Sequence, residues 1–256
     1  MNAIDRTPLR DQVYRALVGR ILTGEHPPGS RMSDRGLAET LDVSRTPIRE
    51  ALMRMERERL LESDPHRGFF VRDLTVDEVE EIYPVIAILE GGLVRRSGAT
   101  RRTIARLREL NGRLERSADD AFARVDLDML WHETLTHAAS NPYADDLLAA
   151  TKILIRRYEY AYMREAGHVP LSVRMHEDIC AALETGDADA AAGLLEDHWR
   201  FGMDAVRRWL QPDAEAAGEG AAEAAGEAAE EAAEEAGGEA AADDGTARGD
   251  ARSPTA

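Results

Sequence analysis

Apolar residues recur with a helical period along most of this chain. Ile48, Ala51, Leu52 and Met55 form one stripe, and Leu37, Ala38 and Leu41 form a shorter one before it. The pattern predicts two helices joined by the turn Asp42-Val43-Ser44. Ser33 is placed to cap the first, and Ser44 to cap the second by accepting from an orphan N–H. Pro47 falls in the first turn of the second helix, where a missing donor costs little. Leu60-Leu61-Glu62-Ser63 and Gly68-Phe69-Phe70-Val71 then bracket a Pro/His/Arg/Gly turn, which predicts a two-stranded wing. After Thr75, a suitable N-cap, Ile82, Val85, Ile86, Leu89 and Leu93 return to helical spacing. Further helices are expected at about 101–117, 122–139, 143–165, 171–185 and 187–210. Asn141-Pro142, Gly167 to Pro170 and Gly186-Asp187 mark the breaks.

The fold class is therefore mainly α, an N-terminal winged helix-turn-helix followed by a six-helix all-α bundle. From Pro212 onward the chain is rich in Ala, Glu and Gly and has no Val, Leu, Ile, Met or aromatic residue. Such a segment cannot bury enough apolar surface to offset its ordering entropy, so a disordered acidic tail is expected. The domains are read as 1–72, 73–211 and 212–256.

A net charge of -17 would argue against a nucleic-acid partner if it were evenly spread. It is not. Residues 1–73 carry 13 arginines against 12 acidic groups, whereas residues 212–256 carry 2 basic against 13 acidic groups. Charge near the contact face matters most, because screening cuts off beyond about 8–10 Å at ordinary salt. Only Lys152 among the basic residues is lysine, and Cys180 is the single cysteine. One cysteine cannot form an internal disulfide, and the first residues lack a signal-peptide apolar core. With no segment long and apolar enough to span a bilayer, no membrane partner and a cytoplasmic location are expected.

Arg45 and Arg49, four apart, project from one face of the second helix. An arginine fork matches the O6/N7 edge of guanine and also grips phosphate. Small Thr46 lets the backbone approach the groove. This is the chemistry of a DNA-reading helix. The spaced set Leu9, Ile21-Leu22-Thr23-Gly24, Pro28-Gly29, Arg35, Leu37-Ala38, Val43 through Leu52 and Gly68 resembles the DNA-binding domain of the GntR family of bacterial transcription regulators. Two positions depart from it. Gly36 stands where an acidic residue would complete a capping box, and Asp42 where the turn usually has glycine. Aspartate tolerates unusual turn dihedrals, so the turn should survive. The resemblance implies a homodimer on a short palindromic operator of double-stranded DNA. Ser44, Arg45, Thr46, Pro47 and Arg49 would sit at the groove. Arg35 and the wing residues His66, Arg67 and Gly68 would touch phosphate or the minor groove.

The helical region holds one anomaly. Asp128 and His132 interrupt the stripe of Val125 and Leu135; His176 interrupts that of Val173, Cys180 and Leu183; His198 interrupts that of Ala191, Leu194, Leu195 and Gly202. Three inward histidines and an aspartate need a shared partner, because unpaired buried polar groups are costly. A divalent metal supplies it; Zn²⁺ suits the donor set, and Ni²⁺ or Mn²⁺ also fit. Asp128 through His132, Asn141, His176-Glu177, Gly186-Asp187, Ala191 and His198 also resemble the FCD effector domain of FadR-type GntR regulators, in its shorter VanR-like branch. That resemblance implies metal ligation by Asp128, His132, His176 and His198, a small carboxylate effector beside the metal, and a repressor rather than an enzyme. The arginine that the family often has four residues before its helix glutamate is absent, since Ile86 precedes Glu90 there. Arg95 and Arg156 are the candidates to replace it. Two alternatives stay open: a purely structural metal, or a metal-dependent enzyme acting on a small acid.

Overall fold

The computed structural model describes residues 8–117, 120–166 and 171–211. The Gly167 to Pro170 break, His168 and the acidic tail from Pro212 lie outside the described residues. Helix α1 (Leu9–Leu22) buries Val13, Tyr14, Leu17, Val18, Ile21 and Leu22 on one face. Strand β1 (Arg31–Met32) leads into α2 (Asp34–Leu41) and α3 (Arg45–Arg57). Strands β2 (Leu61–Asp64) and β3 (Gly68–Val71) follow, and the antiparallel sheet has the order β1-β3-β2. Leu17, Ile48, Leu52, Met55 and Leu60 lose all contact with solvent where these elements meet. Burial of each such side chain contributes about 1.5–3 kcal/mol, enough to seat three short helices and a small sheet on one core.

The wing is three-stranded rather than two-stranded. Arg31 pairs with Phe70 and Met32 with Phe69. Two residues are too few for an alternating pattern, so β1 leaves no periodic signal. The turn before α3 survives without glycine: Asp42 adopts the left-handed conformation at φ 50° and ψ 47°. Ser33 caps α2 by accepting from the N–H of Gly36 at 3.3 Å, without the reciprocal acidic partner. The expected Ser44 cap is corrected. Ser44 occupies the N-cap position in extended conformation, but its side chain makes no cap hydrogen bond. Side-chain caps elsewhere among the described residues accept from the N–H three residues on, as Thr75 does from Glu78, Thr100 from Thr103 and Asp120 from Ala123. Three residues after Ser44 stands Pro47, which has no N–H to give.

Six helices follow among the described residues: α4 (Val76–Ser97), α5 (Arg101–Arg116), α6 (Ala121–His137), α7 (Pro142–Ala166), α8 (Leu171–Glu184) and α9 (Ala188–Leu210). Their ends fall within two residues of the expected ones where the periodicity gave both ends. Helix α4 packs along α9, α5 against α6 and α8, and α7 against α4 and α6. The N-terminal core and the helical bundle belong to one compact unit. At their joint the buried guanidinium of Arg157 on α7 donates to the Arg72 carbonyl at 2.9 Å and pairs with Glu78 on α4. The Tyr158 hydroxyl donates to the same carboxylate and accepts the Thr75 N–H at 3.1 Å.

Candidate functional site

Two surfaces carry chemistry. On the first, α3 presents Arg45, Thr46 and Arg49 to solvent, while Pro47 is half-buried at its base. Arg45 Nη2 donates to Asp34 Oδ2 at 2.7 Å, which holds the Asp34 carboxyl below the usual range, with the nearby Arg49 adding to the effect. Arg35 pairs with Glu39 at 3.0 Å on the exposed side of α2. The wing tip is built by Asp64, whose Oδ1 accepts the N–H groups of His66 at 2.8 Å and Arg67 at 2.9 Å. Gly68 follows at φ +91°, a region that side chains rarely adopt. Arg67 lies over the Phe70 ring, 4.7 Å from its centroid. The helix face and the wing tip are thus shaped by local turns and remain exposed.

The second site lies inside the bundle. Asp128 and His132 come from adjacent turns of α6, His176 from α8 and His198 from α9, and their ligand atoms all lie within 4.8 Å of one another. The three histidines are buried. His132 Nε2 is 3.1 Å from His198 Nε2 and 3.8 Å from Asp128 Oδ2, and His176 Nε2 is 3.6 Å from Asp128 Oδ1. Two donors each about 2.1 Å from one ion stand at most about 4.2 Å apart; these three separations fall inside that limit, and the 4.8 Å span of the whole set lies about 0.6 Å beyond it. Neither ring nitrogen of His176 has a hydrogen-bond partner, nor does His198 Nδ1. Burial, with the neighbouring histidines, pushes His176 well below its usual value and His198 down to about 4. Both rings are therefore neutral near pH 7, as ligation requires. Orphaned buried nitrogens on neutral imidazoles beside a carboxylate fit a divalent cation.

Sequence reasoning met Glu90 and Trp131 only within the family resemblance and gave no role to the groups behind this cluster. Glu90 on α4 is fully buried, and its Oε2 is 2.7 Å from His132 Nδ1 and accepts the Trp199 Nε1–H at 2.8 Å. Its Oε1 is 2.8 Å from the ammonium of Lys152 on α7. Burial raises the Glu90 carboxyl, but His132 and Lys152 outweigh it and hold the group at about 2. An ionised Glu90 keeps the proton of His132 on Nδ1 and leaves Nε2 free toward the cluster. Trp131 stacks on the His176 ring at 3.8 Å between centroids and fixes its plane. The one signal that could have found this support was Lys152 itself, a lone lysine where every other basic residue is arginine.

A cavity of about 220 Å³ reaches Asp128 and His198. Its polar lining includes Arg124, Glu159, Tyr162 and Arg208. The two arginines expected there lie elsewhere. Arg95 pairs with Glu196 at 2.6 Å and with Asp189 at 3.8 Å, and Arg156 pairs with Asp126. Neither lines the cavity: Arg95 meets Glu196 on α9, and Arg156 meets Asp126 on α6 and lies over Tyr160 of its own helix. His137 is exposed beside Asp145 at 3.1 Å, and His26 is half-buried on the N-terminal part, so both stand apart from the cluster.

A three-helix core with a small wing, joined to an all-helical domain with an internal cavity, is the architecture of a bacterial DNA-binding regulator with a second, helical domain. Residues 9–71 match the bacterial regulatory proteins of the gntR family, and residues 81–201 match the FCD domain. The chain is 30% identical over 182 residues to the Nta operon transcriptional regulator of Aminobacter aminovorans, covering 70% of this chain and 85% of that protein. It is 26% identical over 216 residues to the HTH-type transcriptional repressor RspR of Escherichia coli K12, covering 81% and 93%. In fold it is similar to a transcriptional regulator GntR from Rhodococcus sp. RHA1, at a TM-score of 0.66 and 23% identity, covering 77% and 96%. The chain belongs to the GntR family of transcriptional regulators and carries an FCD domain. Members of this family are DNA-binding regulators, not enzymes. Among the described residues no helix is long and apolar enough to cross a membrane.

Proposed function

We propose that this protein is a cytoplasmic, homodimeric repressor whose operator binding is relieved by a small carboxylate at a metal held by Asp128, His132, His176 and His198. The observation that carries the reading is the convergence of four donors within 4.8 Å, with buried imidazole nitrogens that have no other partner. When bound, a divalent cation supplies a Lewis-acidic point to which a carboxylate can bind. The chain's own residues do the rest. Glu90 orients His132, Trp131 orients His176, and the cavity admits a ligand to Asp128 and His198. That opening favours a sensor over a purely structural metal, whose ligands would be closed off on every side.

On the DNA side, Arg45, Thr46 and Arg49 are assigned to base edges, and Ser44 and Pro47 to shaping the helix start. Arg35 and the wing tip His66, Arg67 and Gly68 are assigned to phosphate or the minor groove. Exposed Val85 and Ile88 on α4 support pairing of two copies. Division at about residue 72 makes the Arg157–Glu78 joint the coupling element, since α7 carries both that contact and the cavity residues Glu159 and Tyr162. A ligand shifts operator affinity only through its differential affinity for the two arrangements of that joint.

The test is metal content of protein purified without chelator or a histidine tag, beside His176→Ala. About one divalent ion per chain, lost in the variant, is expected. Titration of an operator duplex with and without small carboxylates then reads the switch. Absence of metal from the wild-type protein, with a folded far-ultraviolet spectrum, overturns the metal-sensor reading and leaves the DNA-binding class intact.

A further inference from the structure

The cavity beside the cluster contains an acidic group that neither metal ligation nor DNA binding uses. Glu159 on α7 lines it, one helical turn before Tyr162 and Met163, which line it too. The Tyr83 hydroxyl donates to Glu159 Oε1 at 2.7 Å and locks the carboxyl in place. Gly202 on α9 places this pair: a Cβ there would be in ordinary van der Waals contact, 3.4 Å from the Tyr83 ring and 3.7 Å from Glu159 Oε1. His198 lies four residues before Gly202, so the two share a face of α9, separated by one turn of about 5–6 Å. The Glu159 carboxyl therefore sits one helical turn along the cavity from a cluster histidine.

Burial, and the charge of Asp128 nearby, push the Glu159 carboxyl up to about 7, despite the hydrogen bond from Tyr83. Tyr83 is the one hydrogen-bond donor to this carboxyl among the described residues, so it keeps acceptor capacity toward the cavity, whose lining also holds Arg124 and Arg208. A second carboxylate on a ligand would add an acceptor and a like charge. A hydroxyl or an ammonium would supply a donor, and a divalent cation at Asp128 would favour the ionised acceptor.

We propose that Glu159 is a specificity-determining residue that reads a hydrogen-bond donor, so that the effector is a small hydroxy- or amino-carboxylate rather than a plain or dicarboxylic acid. The inference rests on the metal-bound carboxylate reading above and names its ligand class. The acid group binds at the cluster end, and the hydroxyl or ammonium donates to Glu159 one turn away. A site built to receive a donor discriminates strongly against analogues that lack it, because its own polar group is then left unpaired.

The experiment is calorimetric titration of the metal-loaded full chain with butyrate, succinate, and the hydroxybutyrates and aminobutyrates substituted at carbon 2, 3 or 4. At least one substituted acid is expected to bind about tenfold or more tightly than butyrate and succinate. Glu159→Gln and Glu159→Ala, checked for unchanged metal content and helicity, are expected to cut that preference to about threefold or less. The glutamine should penalise the amino acids more than the hydroxy acids, since it keeps an acceptor and loses the charge. Butyrate or succinate binding as well as every substituted acid overturns the inference, as does a ranking that survives Glu159→Ala. In either case the carboxylate-sensor reading stands. If none of the acids binds the metal-loaded protein, that reading falls and this inference falls with it.

Discussion

Arg157 and Glu78 form a buried ion pair where the DNA-binding part meets the helical bundle, and the same guanidinium donates to the backbone of Arg72 in the linker. Both side chains are almost closed to solvent, at 3% and 7% exposure. Removing Arg157 leaves the buried Glu78 with the more exposed Arg72, 3.5 Å away, as its remaining cation, so the cost is at most that of a fully stranded buried charge, about 3–5 kcal/mol. Arg157→Ala is expected to lose up to that much in urea unfolding. Arg157→Met combined with Glu78→Leu should recover part of it, because no buried charge is then left and only the half-exposed Arg72 loses a partner. A loss below about 1 kcal/mol in the single variant would show that the joint is not a fixed contact in solution.

The two reading arginines differ in their free-state ties. Arg45 is held by Asp34 at 2.7 Å, whereas Arg49 has no ion pair among the described residues. Arg49→Ala should weaken binding to a duplex selected from a random pool by about 1–3 kcal/mol, and should relax preference at one base pair. Asp34→Ala should tighten binding by no more than about 1 kcal/mol, since an exposed ion pair holds Arg45 only weakly. An equal, few-fold loss for Arg49→Ala on all sequences would reassign that side chain from base to phosphate.

Glu90 acts on metal affinity through His132. Glu90→Gln keeps the shape but loses the charge that holds the His132 proton on Nδ1. Metal affinity is expected to fall about 10–100-fold in competition with a chelating dye; the variant also strands the buried ammonium of Lys152, so helicity is measured beside affinity. His132→Ala should fall further. Unchanged affinity in the glutamine variant would show that His132 is oriented by packing alone.

The pH dependence of the metal-free protein follows from two directions of shift. His176 and His198 titrate below their ordinary value in the fold, so below about 6.5 the unfolded chain binds more protons than the native one. Stability is therefore lost as pH falls from about 6.5 toward 4. Glu159 acts oppositely: its carboxyl is raised to about 7, so the native state holds the extra proton and stability falls as pH rises from 4.5 to 7. Glu159→Gln should consequently gain on the wild type at pH 8 relative to pH 4. Thermal unfolding in chelator at a series of pH values measures both slopes. A variant that tracks the wild type at every pH would contradict the raised carboxyl.

Local rules reached far into this protein. Helices α2 through α9 follow from apolar spacing, and the Ser33, Thr75 and Pro142 positions bound them because caps and breakers act within three or four residues. The four cluster residues could be named because polar groups broke apolar stripes at Asp128, His132, His176 and His198. Pairings between distant segments left no such mark. The Ser44 cap failed through a neighbour three residues away, and β1 was too short to show a period. Glu90 and Lys152 are 62 residues apart in the sequence and meet only because α4 and α7 cross. Arg95 and Arg156 had the right charge, but packing turned them to Glu196 and Asp126, while Arg124, Glu159 and Arg208 came to line the cavity. Periodicity tells which face of a helix is buried. Which side chains share a cavity depends on how those faces pack, and that is a property of the assembled fold alone.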